Sequence, residues 1–380
     1  MRVFILFLLS LWTSLVNSAD LILTPEQTIE ASGTREITPF SINGQRYLAI
    51  AQLAKDIPNT KANMNGGNSD VDVIILKEKD ARYLPYQRIP SHGNEGSAFF
   101  SIDGNHFLAV ASIRSGPEAP YNMQTYSKLY RWDGKKFYPV QQFFALATKQ
   151  WKHFQIGTRH FLAQANGVTT TESSSNSPKD SIIYEWDGTQ FKHFQTIPST
   201  WAYSWEFFTL EGKHYLALAD HIKQSVLYRW NGKEFVAHQV FAEAGGRAFK
   251  YFRINNQPML AFAVVSNDSK IYQYQNGQWQ LKQILEGTGG RNFTFFSRNN
   301  QNYLLQINFI QGTREQPITA LKSPLYRWEK DKFVVAQELD TFGGVSAELF
   351  TQGKKRFIAV ANSLSKDIRF KVKSVIYKIL

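Results

Sequence analysis

The sequence predicts an all-β fold, a seven-bladed β-propeller built from four-stranded blades. Three observations predict it. One set of residues recurs seven times at fixed offsets, each copy reads as four short strands, and the last copy lacks a strand that the N-terminal segment can supply. Together they indicate a closed ring of equal sheets.

The repeat consists of a glutamine, a phenylalanine thirteen residues later and a second large apolar residue seven residues after that. The glutamines are Gln27, Gln87, Gln141, Gln195, Gln239, Gln283 and Gln337. The phenylalanines are Phe40, Phe100, Phe154, Phe208, Phe252, Phe296 and Phe350. The third positions are Tyr47, Phe107, Phe161, Tyr215, Met259, Tyr303 and Phe357. A Ser-x-x-Tyr-x-Trp motif follows at 127–132, 181–186, 225–230 and 323–328, and 269–274 ends in Tyr274 instead.

Each copy contains four apolar tracts of strand length, separated by turn residues. Asn43-Gly44 and Asp103-Gly104 punctuate first hairpins, and Asp133-Gly134 and Asn231-Gly232 punctuate last hairpins. Such pairs supply the positive φ angles of tight hairpins. A spacing of about 44 to 60 residues is too long for the rungs of a β-solenoid, and a sandwich would not need seven equal copies.

The two ends of the chain complement each other. The seventh copy ends at Leu380, before an outer strand could form, while residues 21–30 form a spare strand that carries Gln27. We therefore predict that residues 21–30 pair with residues 374–380 in the last blade. This closure would hide two sheet edges at once.

Residues 1–19 have the three parts of a secretory signal peptide. Arg2 gives a positive start, an apolar run extends from Val3 to Val16, and Asn17-Ser18-Ala19 provides small residues for cleavage. The run is shorter than the roughly 20 residues that span a bilayer, which favours a signal over an anchor. We therefore predict a propeller over residues 20–380, no transmembrane segment, and a secreted or extracellular location (periplasmic or cell-surface in a bacterium).

Composition excludes several classes of protein. With 43% hydrophobic, 14% aromatic and 19% charged residues, the 380-residue chain is not disordered. It has no cysteine, which excludes disulfides, thiolate zinc sites and cysteine nucleophiles. The net charge of +12 is spread along the chain, which fits solubility or attraction to acidic partners. No basic helix or nucleic-acid-binding motif is present, so no nucleic acid is predicted as a partner.

The repeat resembles a known family. Residues 100–111 (FSIDGNHFLAVA), 127–134 (SKLYRWDG) and 195–199 (QTIPS) are similar to EPTP repeats, also called EAR repeats, of the leucine-rich glioma-inactivated proteins. The resemblance covers nearly all of residues 20–380. It implies a seven-bladed propeller that acts as an extracellular interaction module without enzymatic activity. The chain lacks a leucine-rich-repeat domain, so it need not share their partner, and the first copy is degenerate at Ile75.

The variable segment between the second and third strands of each copy is the predicted binding region, because loops on a rigid scaffold carry function. Five segments are long: 52–71, 112–126, 166–180, 308–322 and 362–373. All should lie on one face, with a gap at blades 4 and 5. Arg114, Tyr121 and Arg314 are candidate ligand-binding residues there. The alternative is that the lengths of surface loops drift freely.

A second set of candidates follows the second strand of each copy: Gln52, Ser112, Asn166, Asp220, Val264, Asn308 and Asn362. Of these, Asn166, Asp220, Asn308 and Asn362 are the predicted ligand-binding residues. They would surround the channel on the loop face and contact a ligand or ion. The alternative is that they cap turns.

No residues are predicted to be catalytic or to bind a metal. His106, His160 and His214 share one hairpin position, which spreads them over three blades. Glu206, Glu348, Lys152 and Lys250 share another position, where alternating charge indicates pairing between blades. No cofactor is expected, although a structural cation in the channel is left open.

The predicted function is that of a secreted, non-enzymatic interaction module. It would bind an extracellular protein or an acidic glycan, such as a cell-surface glycoprotein, through the face with the long loops. One alternative is a carbohydrate-active enzyme of propeller architecture, a glycosidase or lyase, which would need two carboxylates about 5 to 9.5 Å apart. Another is a ring that self-associates through strand edges.

Overall fold

Seven four-stranded antiparallel sheets follow one another around a central channel. The computed structural model describes residues 21–167, 180–313 and 315–380, and the regular elements in those ranges are β-strands. The expected signal peptide, residues 1–19, lies outside the described residues. In the described ranges, no helix is long and apolar enough to cross a bilayer.

Blades 1 to 5 each take four consecutive strands, ordered from the channel outward. Blade 1 contains β2 (Thr34–Ile42), β3 (Gln45–Gln52), β4 (Val73–Lys79) and β5 (Arg82–Ile89). Blade 2 contains β6 (Asn94–Ile102), β7 (Asn105–Ser112), β8 (Gln124–Trp132) and β9 (Phe137–Leu146). Blade 3 contains β10 (Thr148–Ile156), β11 (Arg159–Asn166), β12 (Ser181–Trp186) and β13 (Phe191–Ile197). Blade 4 contains β14 (Ala202–Leu210), β15 (Lys213–Asp220), β16 (Ser225–Trp230) and β17 (Phe235–Phe241). Blade 5 contains β18 (Gly246–Ile254), β19 (Gln257–Val264), β20 (Ser269–Gln275) and β21 (Gln278–Leu285).

Blade 6 contains an insertion and blade 7 joins the two ends of the chain. Blade 6 is formed by β22 (Gly290–Arg298), β23 (Gln301–Asn308), β26 (Ala320–Glu329) and β27 (Lys332–Phe342), and its loop holds the two-residue strands β24 (Gln311–Gly312) and β25 (Pro317–Ile318). Blade 7 is formed by β28 (Gly344–Gln352), β29 (Lys355–Asn362), β30 (Lys371–Ile379) and, outermost, β1 (Leu23–Ser32). The seven inner strands contact each other in cyclic order, including β2 with β28, so the ring is closed.

The predicted closure by the N-terminal strand is confirmed. β1 pairs antiparallel with β30, from Leu23 opposite Ile379 to Ser32 opposite Lys371. The Leu380 N–H also donates to the Ile22 carbonyl at 3.0 Å. The pairing therefore extends two residues beyond the predicted end at position 30, and it stabilises the ring without a disulfide.

The predicted hairpins also form, with the backbone angles that their sequence requires. Asn43 and Gly44, between β2 and β3, have φ angles of 49° and 79°. Asp103 and Gly104 repeat this arrangement in blade 2, at 47° and 76°. These angles lie in the left-handed region, where asparagine, aspartate and glycine are the residues best tolerated.

The repeat glutamine connects neighbouring blades. Gln141, on β9 of blade 2, donates from Nε2 to the Phe191 carbonyl (2.7 Å) and accepts the Phe191 N–H at Oε1 (3.0 Å). Phe191 begins the outer strand of blade 3. The same two-bond clasp joins Gln27 to Tyr83, Gln87 to Phe137, Gln195 to Phe235, Gln239 to Trp279, Gln283 to Phe333 and Gln337 to Leu23. Seven clasps therefore form a complete outer ring.

A β-bulge precedes each clasp glutamine. In blade 2, Leu129 lies opposite Gln141 but Tyr130 lies opposite Pro139, which leaves Val140 as the extra residue. The other six outer strands show the same register shift. A bulge bends its strand and redirects the neighbouring side chain. The bulge therefore explains why the side-chain amide of the glutamine points away from its own sheet and bonds to the neighbouring blade.

We expect Gln141→Leu to lower the free energy of unfolding by about 1–3 kcal/mol, because the Phe191 N–H and carbonyl then lose their partners in a partly buried site. Gln142→Leu is the matched control, since Gln142 is exposed on the same strand and its replacement should cost within about 0.5 kcal/mol. Urea denaturation measures both variants. Equal losses would show that the clasp contributes no stability.

The repeat phenylalanines pack between blades. Phe154 stacks on Phe161 of its own blade (ring centroids 5.3 Å apart) and on Phe207 of the next blade (4.6 Å). In blade 2, Phe100 stacks on His153 at 4.2 Å. Burial lowers the pKa of His153 to about 3, so its ring is neutral and acts as an aromatic surface.

Candidate functional site

The second strand of each blade ends, and the third begins, on one face of the ring, which we call the loop face. The connections there run from β3 to β4, β7 to β8, β15 to β16, β19 to β20, β23 to β26 and β29 to β30, and residues 168–179 between β11 and β12 lie outside the described residues. As predicted, the connections in blades 4 and 5 are short, at residues 221–224 and 265–268. The described parts of the loops of blades 1, 2, 6 and 7 therefore form a wall that is open on that side.

Arg114 and Tyr121, two of the predicted ligand-binding residues, come together on this face. The guanidinium carbon of Arg114 lies 3.9 Å from the centroid of the Tyr121 ring. Arg114 is almost fully buried and donates to three oxygens of the blade 1 loop, namely Ser69 Oγ (2.8 Å), Asn65 O (2.5 Å) and Gly66 O (2.6 Å). The Tyr121 hydroxyl donates to Gly67 O at 2.5 Å. The pair therefore links the loops of blades 1 and 2.

A second set of contacts links the loops of blades 7 and 1. The Asp56 carboxylate accepts the N–H groups of Phe370 (3.1 Å) and Lys371 (3.0 Å). A Cβ at Gly67 would lie 2.5 Å from the Phe370 ring, and Gly67 has a φ of 83°, so this close approach requires glycine. The loops of blades 7, 1 and 2 therefore form a preorganised wall.

The polar residues at the ends of the second strands are buried and bonded to the backbone. Asn166, Asn308 and Asn362 donate to the carbonyls that precede the third strands, those of Asp180, Lys322 and Lys373. The Asp220 carboxylate accepts backbone N–H groups from Thr200, Trp201, Ile222 and Lys223. Asp220 therefore caps the turn that follows it, and each of the three asparagines joins the two ends of its loop. The described lining of the central cavity does not include these four side chains. Arg314 lies outside the described residues.

The second residue of each inner strand lies at the loop-face end of the channel. We call these seven residues the mouth ring: Arg35, Glu95, Lys149, Tyr203, Arg247, Arg291 and Val345. Six of them line a cavity of about 360 Å³ with Arg114, Trp201, His221 and Phe309. Cationic and aromatic side chains therefore surround the mouth of the channel.

Glu95 is the counter-charge of the mouth ring. Its carboxylate lies 3.2 Å from Arg35 Nε, 3.6 Å from Lys149 Nζ and 3.5 Å from Arg291 Nη2. Burial acts to raise the pKa of Glu95, but these three positive charges outweigh it and hold the pKa at about 2. The contact with Arg291 joins blades 2 and 6 across the channel.

Three cationic side chains of the mouth ring surround Tyr203. Its ring centroid lies 3.8 Å from the guanidinium carbon of Arg247, 4.5 Å from that of Arg291 and 5.1 Å from Lys149 Nζ. Burial acts to raise the pKa of Tyr203, but these neighbouring cations more than offset it and lower the pKa. The aromatic ring thus stacks against groups that would otherwise repel one another.

Comparison of the sequence with known proteins identifies similar repeats. A model of the EPTP domain matches residues 82–133, 190–231, 234–275 and 332–380. A human thrombospondin-type laminin G domain and EAR repeat-containing protein is 30% identical over 168 residues, which cover 43% of this chain and 24% of the relative. The mouse protein of the same name is 31% identical over 193 residues, which cover 50% and 25%. The chain is an EPTP/EAR-repeat propeller protein.

The matched segments cover about a quarter of the length of the two curated relatives. Among solved structures, the β-propeller domain of Myceliophteria thermophila Cps50 (Swd1) superposes with a TM-score of 0.59 at 10% identity, covering 94% of this chain and all of that one. At this identity the similarity concerns the fold alone.

The EPTP matches are offset from the blades by one strand. Residues 82–133 contain β5 to β8, which are the outer strand of blade 1 and three strands of blade 2. Residues 332–380 likewise contain β27 to β30. Each sequence repeat therefore spans two blades. The same offset makes β1 the outer strand of the last blade.

Deeper in the channel, the predicted pairing of charges between blades is present at Glu206. Glu206 lies 3.0 Å from Lys152 Nζ of blade 3 and 3.8 Å from Lys250 Nζ of blade 5. Glu36 accepts the Ser97 N–H at 2.8 Å. Burial, followed by the charge of Glu348, raises the pKa of Glu36 to about 8. Among the described residues, no group of three or more His, Asp or Glu side chains could hold a metal ion.

The mouth ring is the feature that the sequence analysis missed. Its members stand five residues before the repeat phenylalanines, as Arg35 does before Phe40. The charged position that was recognised, with Glu206 and Lys152, stands two residues before them. The cations of the mouth ring therefore stand three residues before the recognised position in the same repeat register, which is a signal that the sequence contains.

Proposed function

We propose that this EPTP propeller is a secreted, non-enzymatic interaction module that binds an extracellular protein or a cell-surface glycoprotein through its loop face. The observation that carries the proposal is the interlocked loop wall around a basic and aromatic cavity. A surface that is rigid before binding loses little conformational entropy on association. The EAR repeats in the names of the curated relatives support the same class of role.

Exposed apolar side chains on the loop face support this proposal. Ile222, in the short loop of blade 4, is 53% exposed, and Ile318, in the loop of blade 6, is 54% exposed. Together with the cationic mouth, they provide the mixture of apolar and positive contacts that protein interfaces use. A propeller that binds acidic ectodomains or acidic glycans would use both.

The mouth of the channel favours binding over the enzyme alternative. A glycosidase needs one carboxyl group to donate a proton and a second carboxylate to act as base or nucleophile. In the described lining of the cavity, the acidic residue is Glu95, and three cations surround it and hold its pKa at about 2. A carboxylate in that environment cannot serve as a general acid near neutral pH.

We expect the double variant Ile222→Asp, Ile318→Asp to lose at least about tenfold in binding to cell surfaces or to a glycan array, because interface anchors contribute about 1 kcal/mol or more each. Val335→Asp is the control, since Val335 is 56% exposed on β27 of the outer rim. Purified, labelled protein is compared at equal concentration. Equal binding by the double variant and the wild type would refute the loop face as the binding surface.

A further inference from the structure

The central cavity contains positive charge that the described residues do not neutralise. Five cationic side chains line it, namely Arg35, Arg114, Lys149, Arg247 and Arg291, and Glu95 is the carboxylate among them. Buried like charges are strongly unfavourable unless counter-charges accompany them. The lining thus carries four positive charges in excess, which an anionic ligand would balance.

Arg247 is a ready-made contact for such a ligand. It is 6% exposed, and its Nε and Nη1 atoms find no hydrogen-bond acceptor among the described residues. The guanidinium carbon lies 3.8 Å from the centroid of the Tyr203 ring, which holds the group in place. A planar guanidinium with unused N–H groups matches the paired oxygens of a carboxylate, sulfate or phosphate.

The apolar part of the cavity lining indicates which kind of molecule bears the anionic group. Trp201, Phe309, Val265 and Ile310 give the cavity apolar walls beside the cations. The volume of about 360 Å³ lies at the lower end of the range for small-molecule sites, about 300–1,000 Å³. An acidic sugar residue has both matching parts, since its oxyanion faces the cations and its C–H face packs on apolar side chains.

We propose that the cavity at the mouth of the channel binds an oxyanion group, and that an acidic sugar residue supplies it. The assignment of the sugar to a partner's glycan rests on the proposed binding function, whereas the oxyanion site itself does not. The oxyanion site is tested separately, because it can fail while the Ile222 and Ile318 surface still binds a partner, and the reverse also holds.

Thermal unfolding of the intact protein with added ligands tests the site. The probes are sodium sulfate, sodium glucuronate and glucose, each at one ionic strength set with sodium chloride. We expect sulfate and glucuronate to raise the Tm by about 2 °C or more and glucose to leave it unchanged. A larger shift with glucuronate supports the sugar assignment, and equal shifts overturn it but keep the oxyanion site. No shift beyond that of chloride overturns the whole proposal.

Variants locate the site in the cavity. Arg247→Gln should weaken glucuronate binding at least tenfold in calorimetry, because the guanidinium supplies paired N–H donors. Arg247→Lys keeps the charge and supports folding if the glutamine variant is unstable, and it should bind several-fold more weakly than wild type. Arg253→Gln, on an exposed hairpin of the opposite face, is the control. Wild-type affinity in both Arg247 variants would refute the assignment.

Discussion

A cysteine pair in place of Glu30 and Lys373 is expected to form a disulfide and to raise the free energy of unfolding by about 3–5 kcal/mol. The two residues lie opposite each other in the pairing of β1 with β30, and their side chains form an ion pair at 3.0 Å. Antiparallel neighbours have Cα atoms about 4.5–5.5 Å apart, which suits a disulfide. The effect is large because the bond would close nearly the whole chain into one loop.

The cysteine-free sequence makes this experiment clean, since no other thiol competes. The control pairs Glu30→Cys with Lys378→Cys, because Lys378 lies opposite Thr24, six residues further along β1. Mass spectrometry of the oxidised proteins and urea denaturation with and without reductant measure the result. Efficient cross-linking of the mismatched pair, or no reductant-sensitive gain for the matched pair, would contradict the observed register.

The fold was predictable because each structural signal recurs at the same position in several copies of the repeat. A single Asn-Gly pair is weak support for a hairpin, but Asn43-Gly44 and Asp103-Gly104 stand at one register and form the same turn. The closure was predictable for a related reason, since a seven-copy register makes a missing strand visible. The clasp role of Gln141 was not predictable, because it depends on a bulge and on a partner in another blade.

The site was less predictable, because a pattern shows which residues share a layer but not what their side chains bond to. Asn308 and Asp220 were predicted at the channel rim as ligand contacts. In the structure the Asp220 carboxylate accepts backbone N–H groups, and the Asn308 amide donates to the Lys322 carbonyl and accepts from the Gln306 side chain. Arg114 was placed on the correct face, but its guanidinium fixes a neighbouring loop. Arg247 was overlooked, although it lies in the cavity and its Nε and Nη1 atoms find no acceptor among the described residues.

Glu95→Gln is expected to have the largest destabilising effect of any single substitution proposed, about 3–5 kcal/mol. The change is almost isosteric, but it removes the one negative charge that Arg35, Lys149 and Arg291 share at 3.2 to 3.6 Å. Breaking a buried ion pair from one side leaves uncompensated charge, which costs far more than losing an exposed pair. Glu185→Gln is the matched control, because its pair with Arg159 (2.6 Å) is partly exposed and should contribute at most about 1 kcal/mol.

The dependence on pH gives this prediction a second measurement. The pKa of Glu95 is about 2 in the folded protein and near 4.5 when unperturbed, so the folded state binds this proton less tightly. The stability that Glu95 contributes is therefore complete above about pH 4.5 and is lost as the pH falls through 2. We expect the difference between wild type and Glu95→Gln to shrink between pH 5 and pH 3, while sulfate stabilises the variant more than the wild type. A difference that is constant with pH would show that the carboxylate charge does not hold the mouth ring together.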